Sequence, residues 1–172
     1  MAYNDAALFR NRVQLITYPD GLGGDLGTLY EALSGPLSDL FGGVHILPFF
    51  PSSADRGFSP VTYQEVDPHF GDWEDVRRLG EQHDLLADVM VNHVSRRSPY
   101  FRDFIRHGRN SEYADMFITL DKIWPSGEPP EADLRRIFLR RPEHPFTEVT
   151  IRSTGEKETV WATFGALENP QQ

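Results

Sequence analysis

The sequence contains no cysteine and no long apolar run. Without cysteine, its 172 residues can form neither a disulfide nor a thiolate metal site. No stretch approaches the ~18 consecutive apolar residues of a membrane-spanning helix. The first residues also lack the apolar core and cleavage site of a secretory signal. We therefore expect a cytoplasmic protein that does not insert into membranes.

Positive charge is also scarce, with 17 Lys and Arg against 26 Asp and Glu, for a net charge of -9. Nucleic acids and anionic membranes bind surfaces on which Lys and Arg cluster, so the composition predicts neither partner. Hydrophobic residues make up 39% of the chain and aromatic residues 12%, which is enough for a substantial core. The chain is predicted to be one domain, or part of a larger one.

Strand and helix patterns alternate through the first half of the chain. A β-rich run at residues 12–18 precedes a glycine-rich loop and a helical repeat of leucines that starts at Leu26. The apolar run in GGVHILPFFP predicts a second strand, and Asp72 is a candidate N-cap for the helical segment WEDVRRLGEQH. LLADVMVNHV, at residues 85–94, then predicts a third strand. This order is typical of parallel α/β folds, and both a barrel and an open sheet fit it.

The second half of the chain has a different character. An amphipathic helix is predicted after Ser98, and the region that follows is rich in Pro, Arg and short β-like runs such as TEVTIRS and TVWATF. We interpret residues 1–108 as a segment of strands and helices, residues 109–165 as an inserted subdomain and residues 166–172 as a tail.

Two polar clusters fall where predicted strands end, which is where parallel α/β folds bind ligands. In the first, Asp55 and Phe58 flank Gly57; a carboxylate can accept hydrogen bonds from sugar hydroxyls while an aromatic ring covers the apolar side of the sugar. A plain surface loop with a packed Phe is the alternative. In the second, His93 after Asn92 could donate a hydrogen bond to a hydroxyl, or could be a satisfied core histidine.

Other candidate sites are weaker. Asp88 and His93 are an odd number of residues apart and would point to opposite faces of a strand, so no metal site is expected. The pair Arg140 and Arg141 could bind phosphate or carboxylate, or could form a solvated face. Trp161 and Phe164 are the aromatic residues of TVWATF. We expect both side chains to pack in the core rather than to line a site. GLGGDLG fits a nucleotide-binding motif only loosely.

Together and in order, several blocks resemble the sucrose phosphorylase branch of the α-amylase family. The resemblance runs from about residue 11 to residue 164, and the QLITYPD and HILPFFP blocks are its most specific part. The blocks are QLITYPDGLGG, GVHILPFFPSSADRGFSP, VDPHFGDWEDV, DVMVNHVS, SEYADMF and RRPEHPFT.

The resemblance implies the N-terminal part of a (β/α)8 TIM barrel, about three βα units with an inserted subdomain, and retaining transfer of glucose between an α-glucoside and phosphate without metal or organic cofactor. It implies that Asp55 binds glucosyl hydroxyls, that Phe58 stacks on the ring and that His93 hydrogen-bonds the same sugar. Arg141 would face phosphate or the acceptor, and Phe164 would border the pocket.

The resemblance also implies what the sequence lacks. Retaining transfer needs a nucleophile and an acid/base carboxyl group about 5 to 5.5 Å apart, and none of the family's catalytic carboxylate blocks is found, so no catalytic residue is assigned. A closed barrel typically needs ~250 residues. We expect an inactive N-terminal segment whose unpaired barrel edges favour self-association. The competing interpretation is a carbohydrate-binding or assembly module that a partner chain completes.

Overall fold

The computed structural model describes residues 11–139, 142 and 145–162. Contacts between residues divide the chain into two compact units. Unit 1 comprises residues 1–51 and 63–89, and unit 2 comprises residues 52–62 and 90–172. None of the helices in the described part of the chain is long and apolar enough to cross a membrane.

Unit 1 is built on a three-stranded parallel sheet in the order β1-β2-β3. The register aligns Ile16, His45 and Leu86 across the three strands. The predicted alternation of strands and helices is confirmed, since a helix connects each strand to the next. The strands are β1 (Gln14–Thr17), β2 (Gly43–Ile46) and β3 (Asp84–Ala87).

Side-chain caps define where the two helices of unit 1, α1 (Leu26–Ser34) and α2 (Trp73–Gln82), begin. The Asp25 carboxylate accepts hydrogen bonds from the Thr28 backbone and hydroxyl, and these bonds lower the pKa of Asp25. The Asp72 side chain accepts from two backbone N–H groups of α2, which confirms the predicted N-cap.

Among the described residues, the sheet of unit 1 is covered on one face only. Val44 and Ile46 of β2 are buried in a core with leucines of both helices, among them Leu29 and Leu79. His45 lies between Val44 and Ile46 in β2, and its side chain therefore points to the opposite face of the sheet. On that face, Ile16 is 65% exposed. We call the residues Ile16, His45 and Leu86 the open face of the sheet.

The prediction of a third strand at residues 85–94 is wrong for its second half, because β3 ends at Ala87. Residues 88–93 form a loop in which Val89 is 59% exposed and Val91 is 89% exposed. Their apolar side chains resemble a buried strand in the sequence, but no strand of the described chain pairs with them. Asn92 and His93 therefore follow the strand at the end of a loop.

Unit 2 combines short helices with a hairpin. Its core is an aromatic and aliphatic cluster that includes Phe101, Phe104, Phe117 and Val160. The amphipathic helix predicted after Ser98 and the two predicted β-like runs are confirmed, and β4 and β5 pair antiparallel. The elements are α3 (Pro99–His107), α4 (Leu120–Ile123), α5 (Glu131–Leu134), β4 (Phe146–Thr150), β5 (Lys157–Trp161) and single 3₁₀ turns at Asp55–Gly57, Gly108–Asn110 and Ala114–Met116.

Candidate functional site

Residues 52–60 of unit 2 form a closed loop, which carries the first predicted cluster. Ser52 and Pro60 form an isolated antiparallel bridge at its base. The Ser52 hydroxyl donates to the Ser59 carbonyl at 2.8 Å, and the Ser53 backbone N–H donates to the same carbonyl at 3.0 Å. The loop therefore has a fixed base, and residues 54–58 form its tip.

The tip holds an uncommon backbone conformation. Three consecutive residues, Asp55, Arg56 and Gly57, have positive φ values of 58°, 47° and 100°. Residues other than glycine rarely adopt this region, and each such residue costs about 1–3 kcal/mol unless its surroundings impose it. The result is an exposed Asp55 and a partly buried Phe58, with the Phe58 N–H bonded to the Asp55 carbonyl at 3.0 Å.

His93 connects the second predicted cluster to this loop. Its Nε2 lies 2.6 Å from the Phe58 main-chain carbonyl oxygen, and its Nδ1 lies 3.0 Å from the Asn92 side-chain nitrogen. A carbonyl oxygen only accepts, so Nε2 donates; the Asn92 amide nitrogen donates in turn to Nδ1. These partners select the neutral tautomer with hydrogen on Nε2, and His93 is only 8% exposed.

A second connection lies two residues further along the chain. The Ser95 N–H donates to the Pro60 carbonyl at 2.8 Å, and the Ser95 and Ser53 hydroxyls are hydrogen-bonded to each other. The structure thus brings Asp55, Phe58 and His93 into one hydrogen-bonded cluster at the loop. We call the residues 52–60 and 92–95 the loop cluster.

The geometry adds a feature that the sequence did not reveal. The Nε2 hydrogen of His93, expected to reach a sugar hydroxyl, is directed at the Phe58 carbonyl. A bond between a histidine side chain and a main-chain carbonyl 35 positions away has no signature in the sequence. The role of His93 as a donor to sugar stays a prediction, and its observed contact is with the backbone of the loop.

The sequence also singled out Arg141, Phe164 and Trp161. Arg141 and Phe164 lie outside the described residues. Trp161 lies in β5 with its ring edge-to-face on Phe146, at a centroid distance of 5.4 Å. Within the described part of the chain, no group of three or more His, Asp or Glu side chains is arranged to hold a metal ion.

Unit 1 contains a polar pair that sequence reasoning missed. His45 Nε2 donates to a carboxylate oxygen of Asp88 at 3.0 Å, and the side chains are 26% and 30% exposed. The observed partner of Asp88 is therefore a residue of the central strand. Two buried residues, Val44 and Ile46, flank His45, and this alternation is the signal that could have placed His45 on the open face of the sheet.

Comparisons with known proteins identify what this arrangement is similar to. The family model for the α-amylase catalytic domain matches residues 20–141. A sucrose 6(F)-phosphate phosphorylase from Thermoanaerobacterium thermosaccharolyticum is 58% identical over 163 residues, which are 95% of this chain and 33% of that protein. A glucosylglycerol phosphorylase from Marinobacter adhaerens is 50% identical over 157 residues, 91% of this chain and 32% of that protein.

A solved structure agrees with these relatives. The crystal structure of a sucrose 6F-phosphate phosphorylase from Thermoanaerobacter thermosaccharolyticum superposes with a TM-score of 0.89 at 56% identity, covering 97% of this chain and 34% of that one. The chain therefore spans about one third of the length of the relatives it matches. The expected partial α/β barrel fold is confirmed: the solved neighbours are barrel enzymes, and the described residues form no closed barrel.

Proposed function

Because the chain belongs to the α-amylase family, in its sucrose phosphorylase branch, we propose that it supplies the glucose-binding part of a retaining glucosyl phosphorylase. The reaction would transfer a glucosyl group from an α-glucoside to phosphate and release glucose 1-phosphate. The observation that carries this proposal is the loop cluster, which places a carboxylate and an aromatic ring on one loop whose backbone is held by hydrogen bonds.

Each residue of the cluster has a separate task in this proposal. The exposed Asp55 carboxylate accepts hydrogen bonds from glucosyl hydroxyls, and these bonds are strong because the acceptor is charged. The Phe58 ring covers the apolar side of the sugar. His93 holds the backbone of Phe58 and with it the loop. Arg141 would face phosphate or the acceptor, and Phe164 would border the pocket; both assignments rest on the resemblance alone.

We also propose that the 172-residue chain by itself does not catalyse the reaction. None of its motifs resembles the family's nucleophile or acid/base blocks, and catalysis of this type depends on both carboxyl groups acting together. The purified chain should release no glucose 1-phosphate from sucrose or sucrose 6'-phosphate above a blank. Release above the blank would contradict this part of the proposal.

A chimera tests the sugar-binding part. The matching third of the T. thermosaccharolyticum relative, which is 58% identical, is replaced by this chain. We expect the chimera to release glucose 1-phosphate, because the loop cluster would supply the part of the glucose site that is removed with the replaced segment of the relative. A folded but inactive chimera would contradict the proposal.

The open face of the sheet favours a second candidate function. A face that exposes the apolar side chains of Ile16 and Leu86, at 65% and 37%, is a candidate surface for contact with other protein. The chain would then be a carbohydrate-binding or assembly module completed by a partner, or by a second copy of itself. If the chain copurifies with a second polypeptide that restores phosphorolysis, it acts as a module completed by a partner. That result would disfavour the alternative that the chain functions as a segment of one longer polypeptide.

A further inference from the structure

Unit 2 contains a groove lined by arginines, of which Arg96 and Arg97 precede α3 while Arg102 and Arg106 lie on it. Arg152 follows β4 and completes the set. The groove has a volume of about 690 Å³, within the range typical of sites for small molecules. Five arginines along one groove are unexpected in a chain whose net charge is -9.

The protein itself leaves most of this charge unneutralised. Glu148 is the single carboxylate among the described lining residues, and it already pairs with Lys157 at 2.6 Å. Arg97, Arg102 and Arg106 have no carboxylate of the described residues within ion-pair distance, and the same holds for Arg152. By contrast, Arg77 on α2 pairs with two glutamates of its own helix.

Helix electrostatics explains only part of the arrangement. Arg106 lies in the last turn of α3, where the negative end of the helix dipole favours a cation. Arg96 and Arg97 stand directly before the N-cap Ser98, where the positive end of the dipole opposes them. Their position does not stabilise α3, so helix electrostatics does not account for arginines at these two places.

The walls of the groove are held in place by main-chain hydrogen bonds. The Arg152 N–H donates to the Ile105 carbonyl at 2.8 Å, and the Ser153 N–H donates to the Arg106 carbonyl at 3.1 Å. These bonds satisfy carbonyls in the last turn of α3 and fix Arg152 beside Arg106. The groove is therefore formed before any ligand arrives.

The arginines are the donors that the groove offers to a ligand. Thr147 also lines the groove, but its Oγ1 is shielded from solvent, so a ligand that enters from solvent does not reach this hydroxyl. An oxygen-rich anion in the groove would therefore accept hydrogen bonds from the arginine side chains.

From these observations we propose that the groove binds a small phosphate-bearing molecule. Guanidinium groups bind phosphate oxygens in bidentate pairs, and a phosphate ester or polyphosphate carries the several negative charges that match several arginines. A monocarboxylate would neutralise only one of them. The proposal is independent of the proposed sugar site, since no groove residue belongs to the loop cluster.

Titration calorimetry with inorganic tripolyphosphate tests this proposal on the whole chain. We expect a dissociation constant below about 100 µM, and we expect it to rise at least tenfold in the double variant Arg102→Gln/Arg106→Gln. Thr147→Val removes a groove-wall hydroxyl that the ligand does not reach and should change the constant less than twofold. The matched control, Arg135→Gln/Arg136→Gln, removes the same charge from exposed positions of unit 2 and should change the constant less than twofold.

Three outcomes would overturn the proposal. The first is that the parent chain does not bind tripolyphosphate at millimolar concentration. The second is that the control variant loses as much affinity as the double variant. The third is that the chain binds a polyanion such as heparin or RNA but not tripolyphosphate. Far-UV circular dichroism checks that each variant is folded. If the double variant is unfolded, Arg152→Gln takes its place, with the same tenfold criterion.

Discussion

At the scale of single residues, Asp55 combines an exposed carboxylate with a φ of 58°. In the chimeric phosphorylase, Asp55→Ala should lower kcat/KM at least ~100-fold, because charge-assisted hydrogen bonds to the sugar strengthen at the oxocarbenium-like transition state. Steady-state kinetics with sucrose 6'-phosphate measures the loss.

Asp39 provides a matched control for this variant. It is also an exposed aspartate with positive φ, at 63°, and it lies outside the loop cluster. Asp39→Ala therefore removes the same charge from the same backbone conformation, and its kcat/KM should stay within threefold of the parent. Similar kinetics for the two variants would show that Asp55 has no direct role in binding sugar.

His93 is expected to act on stability through the Phe58 carbonyl. His93→Leu leaves that carbonyl without a donor in a site that is 8% exposed, which should lower the free energy of unfolding by about 1–3 kcal/mol. His93→Gln can keep a donor near the position of Nε2 and should lose less than half as much. Urea denaturation of the two variants measures both values.

The outcome that contradicts this interpretation is equal stability of the two His93 variants. In that case the 2.6 Å hydrogen bond from His93 to the Phe58 carbonyl would add no stability beyond what leucine provides at this position. The His93 side chain could then turn toward a ligand without a loss of stability. A kinetic comparison in the chimera then separates the roles, because a direct donor to sugar would affect kcat/KM even where stability is unchanged.

Sequence reasoning identified the residues of the loop cluster but not their connections. Asp55, Phe58 and His93 stood out because their types suit sugar chemistry and because they follow predicted strands. The bond from His93 to the Phe58 carbonyl and the pair of His45 with Asp88 join positions that are 35 and 43 apart. Contacts at such separations depend on the tertiary fold, and neither periodicity nor propensity encodes them.

At the scale of elements, the helix starts were the easiest features to predict. Asp72 was predicted as an N-cap because cap bonds are local, so the residue type at one position determines the outcome; Asp25, which the sequence analysis did not single out, caps α1 in the same way. The end of β3 was harder. Val89 and Val91 have strand propensity, yet a strand continues only where a neighbour pairs with it, and β2 ends at Ile46.

The junction after α3 offers a test of packing between elements. Gly108 has a φ of 59°, and a Cβ placed there would lie 2.9 Å from Ile151 Cγ2 in the core of unit 2. Gly108→Ala therefore combines the cost of a sparsely populated positive-φ conformation, about 1–3 kcal/mol, with overpacking of about 1–3 kcal/mol. We expect a total loss of about 2–6 kcal/mol in the free energy of unfolding, measured by urea denaturation.

Gly155 separates the two contributions. Its φ is 76°, and nothing lies within 4 Å of a Cβ placed there. Gly155→Ala should therefore lose only a backbone term, and we expect a smaller loss than for Gly108→Ala, which adds the clash with Ile151. If both variants lost the same free energy, the packing of the α3 junction against Ile151 would be looser than the structure indicates.

At the scale of the whole molecule, the division into residues 1–108, 109–165 and 166–172 stays a prediction. The fold class was predictable because three strands alternating with helices leave few architectures. What sequence could not show is which face of the sheet remains open. That depends on which side the helices cover, and Ile16 and Leu15 are similar residues until the fold assigns them to opposite faces.

The open face leads to a prediction about association. Ile16 is 65% exposed and Leu86 is 37% exposed, and β1 and β3 are the edges of the described sheet. Unpaired edges and apolar surface favour pairing with a second copy. We expect the chain to form oligomers or aggregates at about micromolar concentration, detected by sedimentation velocity and light scattering.

A lysine on the open face should reduce this association. Ile16→Lys places a charge beside the edge strand, a device by which natural sheets prevent edge pairing, and it should shift the sedimentation profile toward monomer. Leu40→Lys is the matched control, because Leu40 is 56% exposed but lies outside the sheet strands, so its variant should associate as the parent does. A parent chain that sediments as a sharp monomer and unfolds cooperatively would contradict the prediction, because unit 1 would then be stable with its sheet open to solvent.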